Sequence, residues 1–440
     1  MDTTPIRESP GFRALFFSRT ATVFGSQVSE VALLVQVKQV TGSALAVGLL
    51  GAAELVPLIG FGLYGGTLAD RLDRRRVALA TEAALGAVAL ALVVNALLPR
   101  PALAPLYVAA AAIMALMALQ RPSLDAALPR VVPRDRLPAA AALFALSYNA
   151  SAIAGPALGG FLAAGPGPVS AYALDAATFA ASIVLLRRMP PLPATGARTA
   201  EGERAGGGGR PMGRGRDSEG GRPAGGGRDA VRLWRGTGDA VRYALGRQEL
   251  LGSYLVDLAA MILAFPAALF PFVADEMGAP WALGPMYAAA AVGAVLASAA
   301  SGWTGRVRRH GRAIALAAAV WGGAIIGFGL TGDPVVALAC LVVAGGADMV
   351  SGVFRQTLWN QTIPDGLRGR LAGLELISYG AGEPLGRVRS GAVAGVAGPA
   401  AALWTGGAAC VVAVTACCLA LPRFWAYRAV VSSTTRRTGA

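Results

Sequence analysis

The stretch Gly65-Gly66-Thr67-Leu68-Ala69-Asp70-Arg71-Leu72-Asp73-Arg74-Arg75-Arg76 lies between two nearly uncharged runs, 45–69 and 77–98. Each run is long enough to cross a bilayer as a helix, which takes ~20 apolar residues. The stretch therefore predicts a hairpin joining two spans on one membrane face, and its arginines mark that face as cytoplasmic. Its glycines let the helix ends approach closely. Asp70 falls at the hydrocarbon edge, where it can pair with an arginine or face the positive N-terminus of another helix. The plainer alternative is a basic loop that only sets orientation.

Composition agrees with a membrane setting. The chain has 440 residues, of which 55% are hydrophobic and 15% charged, and its mean hydropathy is +0.55. A soluble domain carries about 25% charged residues, so a polytopic membrane protein is expected. The net charge of +14 raises nucleic acid as a partner, but the arginines cluster in alternate loops, the pattern of orientation rather than phosphate binding. Lys38 is the only lysine and no G-x-x-x-x-G-K-[ST] surrounds it, which excludes a P-loop ATPase. Cys340, Cys410, Cys417 and Cys418 fall inside predicted spans without metal spacing and read as small buried hydrophobes. The one histidine, His310, falls in an arginine-rich loop. With no nucleophile–base pair, metal cluster or nucleotide loop, no enzyme, metal or cofactor is expected. No cleavable signal is expected either, since the first apolar stretch carries Arg13 and Arg19 and outruns a signal peptide.

Twelve spans are predicted, at 11–37, 46–69, 77–98, 103–120, 139–164, 169–186, 250–273, 282–303, 313–330, 335–354, 371–396 and 400–421. Loops at 71–76, 121–136, 187 onward, 306–312 and 355–370 hold the arginines; the alternate loops hold little beyond Lys38, Arg100, Asp275, Glu276 and Asp333. That asymmetry puts both termini in the cytoplasm of a cell whose inner membrane the chain crosses. The tract 190–229 is rich in Gly, Arg and Pro, as in Ala205-Gly-Gly-Gly-Gly-Arg210. An RGG-type RNA-binding tract has this composition, but a disordered linker between six spans and six spans fits its position better. Residues 230–246, with Trp234, Val241, Tyr243 and Leu245 among arginines, predict an amphipathic helix on the inner membrane surface. The expected domains are a bundle at 1–189, a cytoplasmic linker at 190–248 and a second bundle at 249–440.

An internal repeat supports the division. Gly302-Trp-Thr-Gly-Arg306 with Arg308 and Arg309 echoes Gly66-Thr-Leu-Ala-Asp-Arg71, and Ile363-Pro364 through Arg370-Leu371 echoes Val132-Pro133 through Arg136-Leu137. Parallel halves related by an axis along the membrane normal are the transporter arrangement this predicts.

The opening stretch closely resembles the loop between helices two and three of the major facilitator superfamily, G-x-L-A-D-R-x-G-R-R. Gly66, Leu68, Ala69, Asp70, Arg71, Arg74 and Arg75 match, and Asp73 stands where that family usually has glycine. The resemblance implies two six-helix bundles of transmembrane helices, an all-α membrane fold. It also implies a cytoplasmic conformational latch at Gly66, Asp70, Arg71, Arg74 and Arg75. Gly155-Pro156-Ala-Leu-Gly159-Gly160 bends a helix and permits close packing. It is similar to the G-P-x-x-G-G signature of drug–proton exporters in that superfamily; ordinary Gly-rich packing is the alternative. Asn95-Ala-Leu-Leu-Pro-Arg-Pro-Ala-Leu103 and Gln361-Thr-Ile-Pro-Asp-Gly-Leu-Arg-Gly-Arg-Leu-Ala-Gly373 resemble the bacterial enterobactin-exporter branch. The implied function is secondary export of a siderophore-like small molecule by proton antiport and alternating access, with the lipid bilayer as setting and a monomer as the working unit. Multidrug or macrolide-type efflux, self-resistance among its forms, is the alternative. A non-transporting membrane receptor is a further one.

Charges inside spans are costly and are functional candidates. Glu54 and Glu383 fall near mid-depth, and Arg387, four positions after Glu383, shares its helix face. Arg19, Asp348 and Asp257 lie nearer the cytoplasmic side, Glu30 and Asp175 nearer the outside. Proton coupling needs a buried carboxylate that exchanges protons near neutral pH. Glu54 and Glu383 are the first candidates and Asp348 the third, with Arg19 attracting an anionic substrate or holding a carboxylate charged. Arg387 and Arg389 are not expected from the branch. Tyr148, Tyr287, Met261, Phe265 and Tyr379 line a cavity or, more simply, pack the core.

Overall fold

Backbone groups in hydrocarbon must find partners within their own segment, so long Ala- and Leu-rich runs close as helices. The computed structural model describes residues 2–69, 73–189, 242–243 and 245–429, and among these every regular element is helical. The twelve long helices are α1 (Pro10–Thr41), α2 (Ala44–Ala69), α3 (Arg74–Leu97), α4 (Leu103–Val131), α5 (Leu137–Ala164), α6 (Pro168–Arg187), α7 (Gln248–Ala264), α8 (Leu283–Ala299), α9 (His310–Leu330), α10 (Pro334–Thr362), α11 (Asp365–Ala397) and α12 (Pro399–Ala420). Ten spans are long and apolar enough to cross a membrane by composition alone. The other two long helices, α1 and α11, carry most of the intramembrane charge: Arg13, Arg19, Glu30 and Lys38 in one, Glu375, Glu383, Arg387 and Arg389 among others in the other.

Short polar residues set several helix starts. Ser9 accepts from the Phe12 amide at 3.1 Å and begins α1. Asp333 accepts from Val335 and Val336 at 2.7 and 3.2 Å and begins α10. Asp73, the departure from the glycine of the loop pattern, accepts from the Arg75 and Arg76 amides at 2.9 and 3.0 Å and is the N-cap of α3. Asp73→Ala should therefore lower stability by about 1 kcal/mol and Asp73→Gly by only a few tenths. Thermal unfolding in detergent checks this, and equal midpoints for the two variants would contradict it.

Helices α1 to α6 pack among themselves, α1 against α5 and α6, α2 against α4, and α3 against α4 and α6. In the second bundle α10 lies between α8 and α9, and α12 packs on α7 and α9. Two seams join the bundles, α2 with α11 and α5 with α8. Both close at the far side, where α1 ends and α2 begins. A Cβ on Gly48 would stand 2.6 Å from the Arg387 carbonyl oxygen and 2.9 Å from Gly391 Cα, and one on Gly160 2.5 Å from Gly284 Cα. Backbone meets backbone there because neither side has a side chain to hold it off. Lys38 adds an ion pair with Asp275 on the same side.

Several ends differ from the expected spans. Helix α4 runs on to Val131, so Arg121 is helical rather than in a loop, and α10 runs to Thr362, which encloses Arg355. Membrane length limits the apolar run, not the helix, which continues beyond it wherever good helix formers follow. The seventh span breaks at Phe265-Pro266 into α7, a 3₁₀ turn at Ala267–Leu269 and a short helix at Phe270–Glu276, since proline offers no amide to the turn before it. His310 does not sit in a loop but opens α9, buried. The predicted amphipathic helix 230–246 falls almost wholly outside the described residues; Tyr243 is inside, its hydroxyl donating to the Thr362 carbonyl at 3.1 Å.

Candidate functional site

Rise per residue brings distant charges to one level. Glu54 lies ten residues into α2 and Arg387 ten residues before the end of α11, both about 15 Å from the far side. Arg387 is buried, and its Nη1 donates to Glu54 Oε1 and Oε2 at 3.0 and 3.1 Å. Its Nη2 donates to Glu383 Oε1 at 3.1 Å, one helical turn earlier, and pairs with Glu30 of α1. One guanidinium thus serves three carboxylates from three helices and joins the two bundles. Charge-assisted bonds of this kind are the strong ones.

The cluster closes the deep end of a cavity of about 980 Å³. Its wall comes mostly from the first bundle, with Gly380, Glu383, Pro384 and Arg387 contributed by α11. Apolar side chains such as Leu85, Met114 and Met117 share the wall with polar ones. Arg19 lines it too, its guanidinium 5.1 Å from the centre of the Phe144 ring. Tyr148 is exposed to it. Tyr287 is instead a packing residue, donating to the Ala267 carbonyl at 2.9 Å and standing edge-on to Phe270. Met261 and Phe265 pack against the glycines of α11, Gly382 and Gly386. Of Tyr379 only the backbone is described.

A second polar group lies in the first bundle. Glu82 of α3 is 1% exposed. Thr22 Oγ1 donates to both its oxygens at 2.9 Å and Gln120 Nε2 to one at 2.9 Å. All three line the cavity, as does Asp175 of α6. The sequence reading passed over Glu82, although it is the one acidic residue in 77–98 and the rule that singled out Glu54 applied to it equally.

The third group is in the second bundle. Arg355 pairs with Asp257, both nearly inaccessible, and lies 3.8 Å from Asp348. Asp348 is thus not brought together with Glu54 and Glu383, and it is absent from the cavity wall. The expected loop position of Arg355 hid this pair, because a buried arginine extends the helix instead of ending it.

Of the opening stretch, Asp70 and Arg71 lie outside the described residues. Gly66 ends within α2 and Arg74 begins α3. Arg75 donates to the carbonyls of Leu186 and Arg187 at 3.3 and 2.6 Å, satisfying the free end of α6. The glycines around Pro156 act in close packing. A Cβ on Gly155 would stand 2.6 Å from Gln27 Cβ, and one on Gly159 2.7 Å from the Val28 carbonyl oxygen, so α5 lies directly on α1.

Comparison with known proteins agrees with this architecture. The model of the Major Facilitator Superfamily matches residues 15–386. The enterobactin exporter EntS of Shigella boydii serotype 18 is 27% identical over 401 residues, covering 90% of this chain and 88% of the relative. The enterobactin exporter EntS of Escherichia coli O1:K1 / APEC is 27% identical over 402 residues with the same coverage. Among solved structures, a POT family transporter in complex with 5-aminolevulinic acid superposes with a TM-score of 0.68 at 13% identity, covering 94% of this chain and 97% of that one. A bacterial homolog of the human lysosomal transporter Spinster, inward-facing and unoccupied, gives 0.66 at 13% identity and covers 97% of each chain.

Proposed function

The chain belongs to the major facilitator superfamily, and from that membership we propose that it exports a siderophore-like small molecule across the inner membrane by proton antiport and alternating access. The observation that carries the reading is the Arg387 cluster. It ties Glu30 and Glu54 of one bundle to Glu383 and Arg387 of the other at the closed end of the cavity. Opening the far side requires α2 and α11 to part, and so requires Arg387 to leave Glu54. Protons taken up by these carboxylates weaken that link, which couples the gradient to the gate. A cavity of about 980 Å³ is at the upper end of small-molecule sites. Similarity to enterobactin exporters along 90% of the chain supports the substrate class. Apolar wall residues such as Met114 and Met117 favour a hydrophobic, macrolide-type antibiotic as the second reading.

The scheme orients the chain with both termini in the cytoplasm, so the closed far side is external and the described state faces inward. Bundles at 1–189 and 249–440 rock about the cavity, joined by a cytoplasmic linker at 190–248, and one chain suffices. Asp70, with Gly66, Arg71, Arg74 and Arg75, fastens the opposite, outward-facing state at the inner rim, and Asp70→Asn should slow cycling without reducing membrane insertion. The direct test uses everted membrane vesicles given enterobactin and an inwardly acid pH gradient. Enterobactin should accumulate, and a protonophore should abolish the accumulation. Erythromycin accumulating in its place would select the second reading, and uptake indifferent to the protonophore would remove proton antiport.

A further inference from the structure

The gate leaves two buried carboxylates of the cavity wall unused, Glu82 and Asp175. We propose that Glu82 is a one-proton exchange site in the first bundle, separate from the Arg387 gate and held by Thr22 and Gln120. The inference deepens the proton-antiport reading and rests on it for its role in transport. Glu82 is 1% exposed, and its hydrogen bonds come from neutral groups: two from Thr22 Oγ1 and one from Gln120 Nε2, each at 2.9 Å, with the Ser182 hydroxyl of α6 also donating to it.

The charged groups that face this region from the packed helices are few. Helix α6 offers Asp175, a like charge; α1 offers Arg19, which lies over the Phe144 ring; α4 offers Arg121. On α3 itself Arg75 is bonded to the carbonyls of Leu186 and Arg187. Arg387 is already shared by three carboxylates. Among the described residues, none of these cations forms an ion pair with Glu82. An enclosed carboxylate without a counter-charge is costly, and neutral donors lower that cost without cancelling the charge. A proton cancels it.

The shell accommodates both states. In the ionised state the Thr22 hydroxyl and the Gln120 amide donate to the carboxylate. On protonation one O–H bond forms on Glu82, its charge goes from −1 to 0, and that O–H donates to Thr22 Oγ1 while the threonine hydrogen turns away. Gln120 goes on donating to the other oxygen. The proton comes from a hydronium ion in the cavity, whose O–H bond breaks to leave water, and no other covalent bond forms or breaks. Because α1, α3 and α4 all belong to the first bundle, the exchange leaves both inter-bundle seams untouched. The same event on Glu54 would strip a partner from Arg387. Glu82 thus binds a proton without opening the gate, which a carboxylate of the gate cannot do.

The test is an infrared difference titration of the full-length protein in liposomes, with protons and deuterons as the only ligands. The wild type should show the C=O stretch of a protonated carboxyl, shifted by deuteration, that is lost in Glu82→Gln and kept in Glu54→Gln. Glu82→Asp should keep a band at a displaced frequency, and an unchanged amide band in Glu82→Gln shows that the helices are intact. If Glu82→Gln keeps every protonated-carboxyl band of the wild type, the site is overturned whatever the transport result. A wild type indifferent to the pH gradient overturns the antiport reading instead and leaves the band to decide the site.

Discussion

Arg387→Met should abolish transport and destabilise the protein by about 3–5 kcal/mol, the usual cost of removing one partner from a buried ion pair. The variant leaves Glu30, Glu54 and Glu383 facing one another around the space the guanidinium filled. Like charges at that separation repel, and two of the three helices involved belong to one bundle and the third to the other. The far side should therefore lose its inner tie first. Methionine keeps most of the apolar stem, so lost packing is a small part of the effect. The decisive comparison is Arg387→Met with Glu54→Gln and Glu383→Gln added, which removes most of the uncompensated charge. Thermal unfolding in detergent should recover in the triple variant, while enterobactin accumulation in everted vesicles stays absent because the proton-sensitive link is gone. A single variant as stable as the wild type would show that the cluster contributes no cohesion between the bundles.

Gly284→Val is the second large expectation. A Cβ at position 284 would stand 2.5 Å from the Ala157 carbonyl oxygen, in a helix backbone that cannot swing aside. Relief requires α5 and α8 to separate, and the far side then no longer closes. Transport should be lost while the protein still inserts. A cysteine placed at Ser26, in the cavity wall, reports the change in a background lacking Cys340, Cys410, Cys417 and Cys418. It should react with a membrane-impermeant maleimide from the far side in the variant and be protected in the wild type. Gly323→Val is the control, since nothing lies within 4 Å of a Cβ at that helical position. Equal labelling of the two variants would show that the α5–α8 seam is not what closes the far side.

The sequence by itself determined the membrane class, the number of spans and their approximate ends, because hydrocarbon thickness and backbone hydrogen bonding leave few alternatives to a helix of about 20 apolar residues. It also placed Glu54, Glu383 and Arg387 as costly charges worth explaining, and put the last two on one face of one helix. Local pattern carries that information: each signal is a composition or a spacing within a single span. Partners across spans are a different matter. That Arg387 is met by Glu30 and Glu54, more than 300 positions earlier, depends on which faces of α1, α2 and α11 turn inward. So does the separation of Asp348, which periodicity could not distinguish from Glu54. Arg355 and Glu82 show the same limit from two directions. Arg355 falls at the edge of an expected loop and lies buried against Asp257; Glu82, which the sequence reading passed over, is enclosed by Thr22 and Gln120. A buried charge is tolerated only where another helix supplies donors or a counter-charge, so tertiary packing alone decided which of these residues stand together.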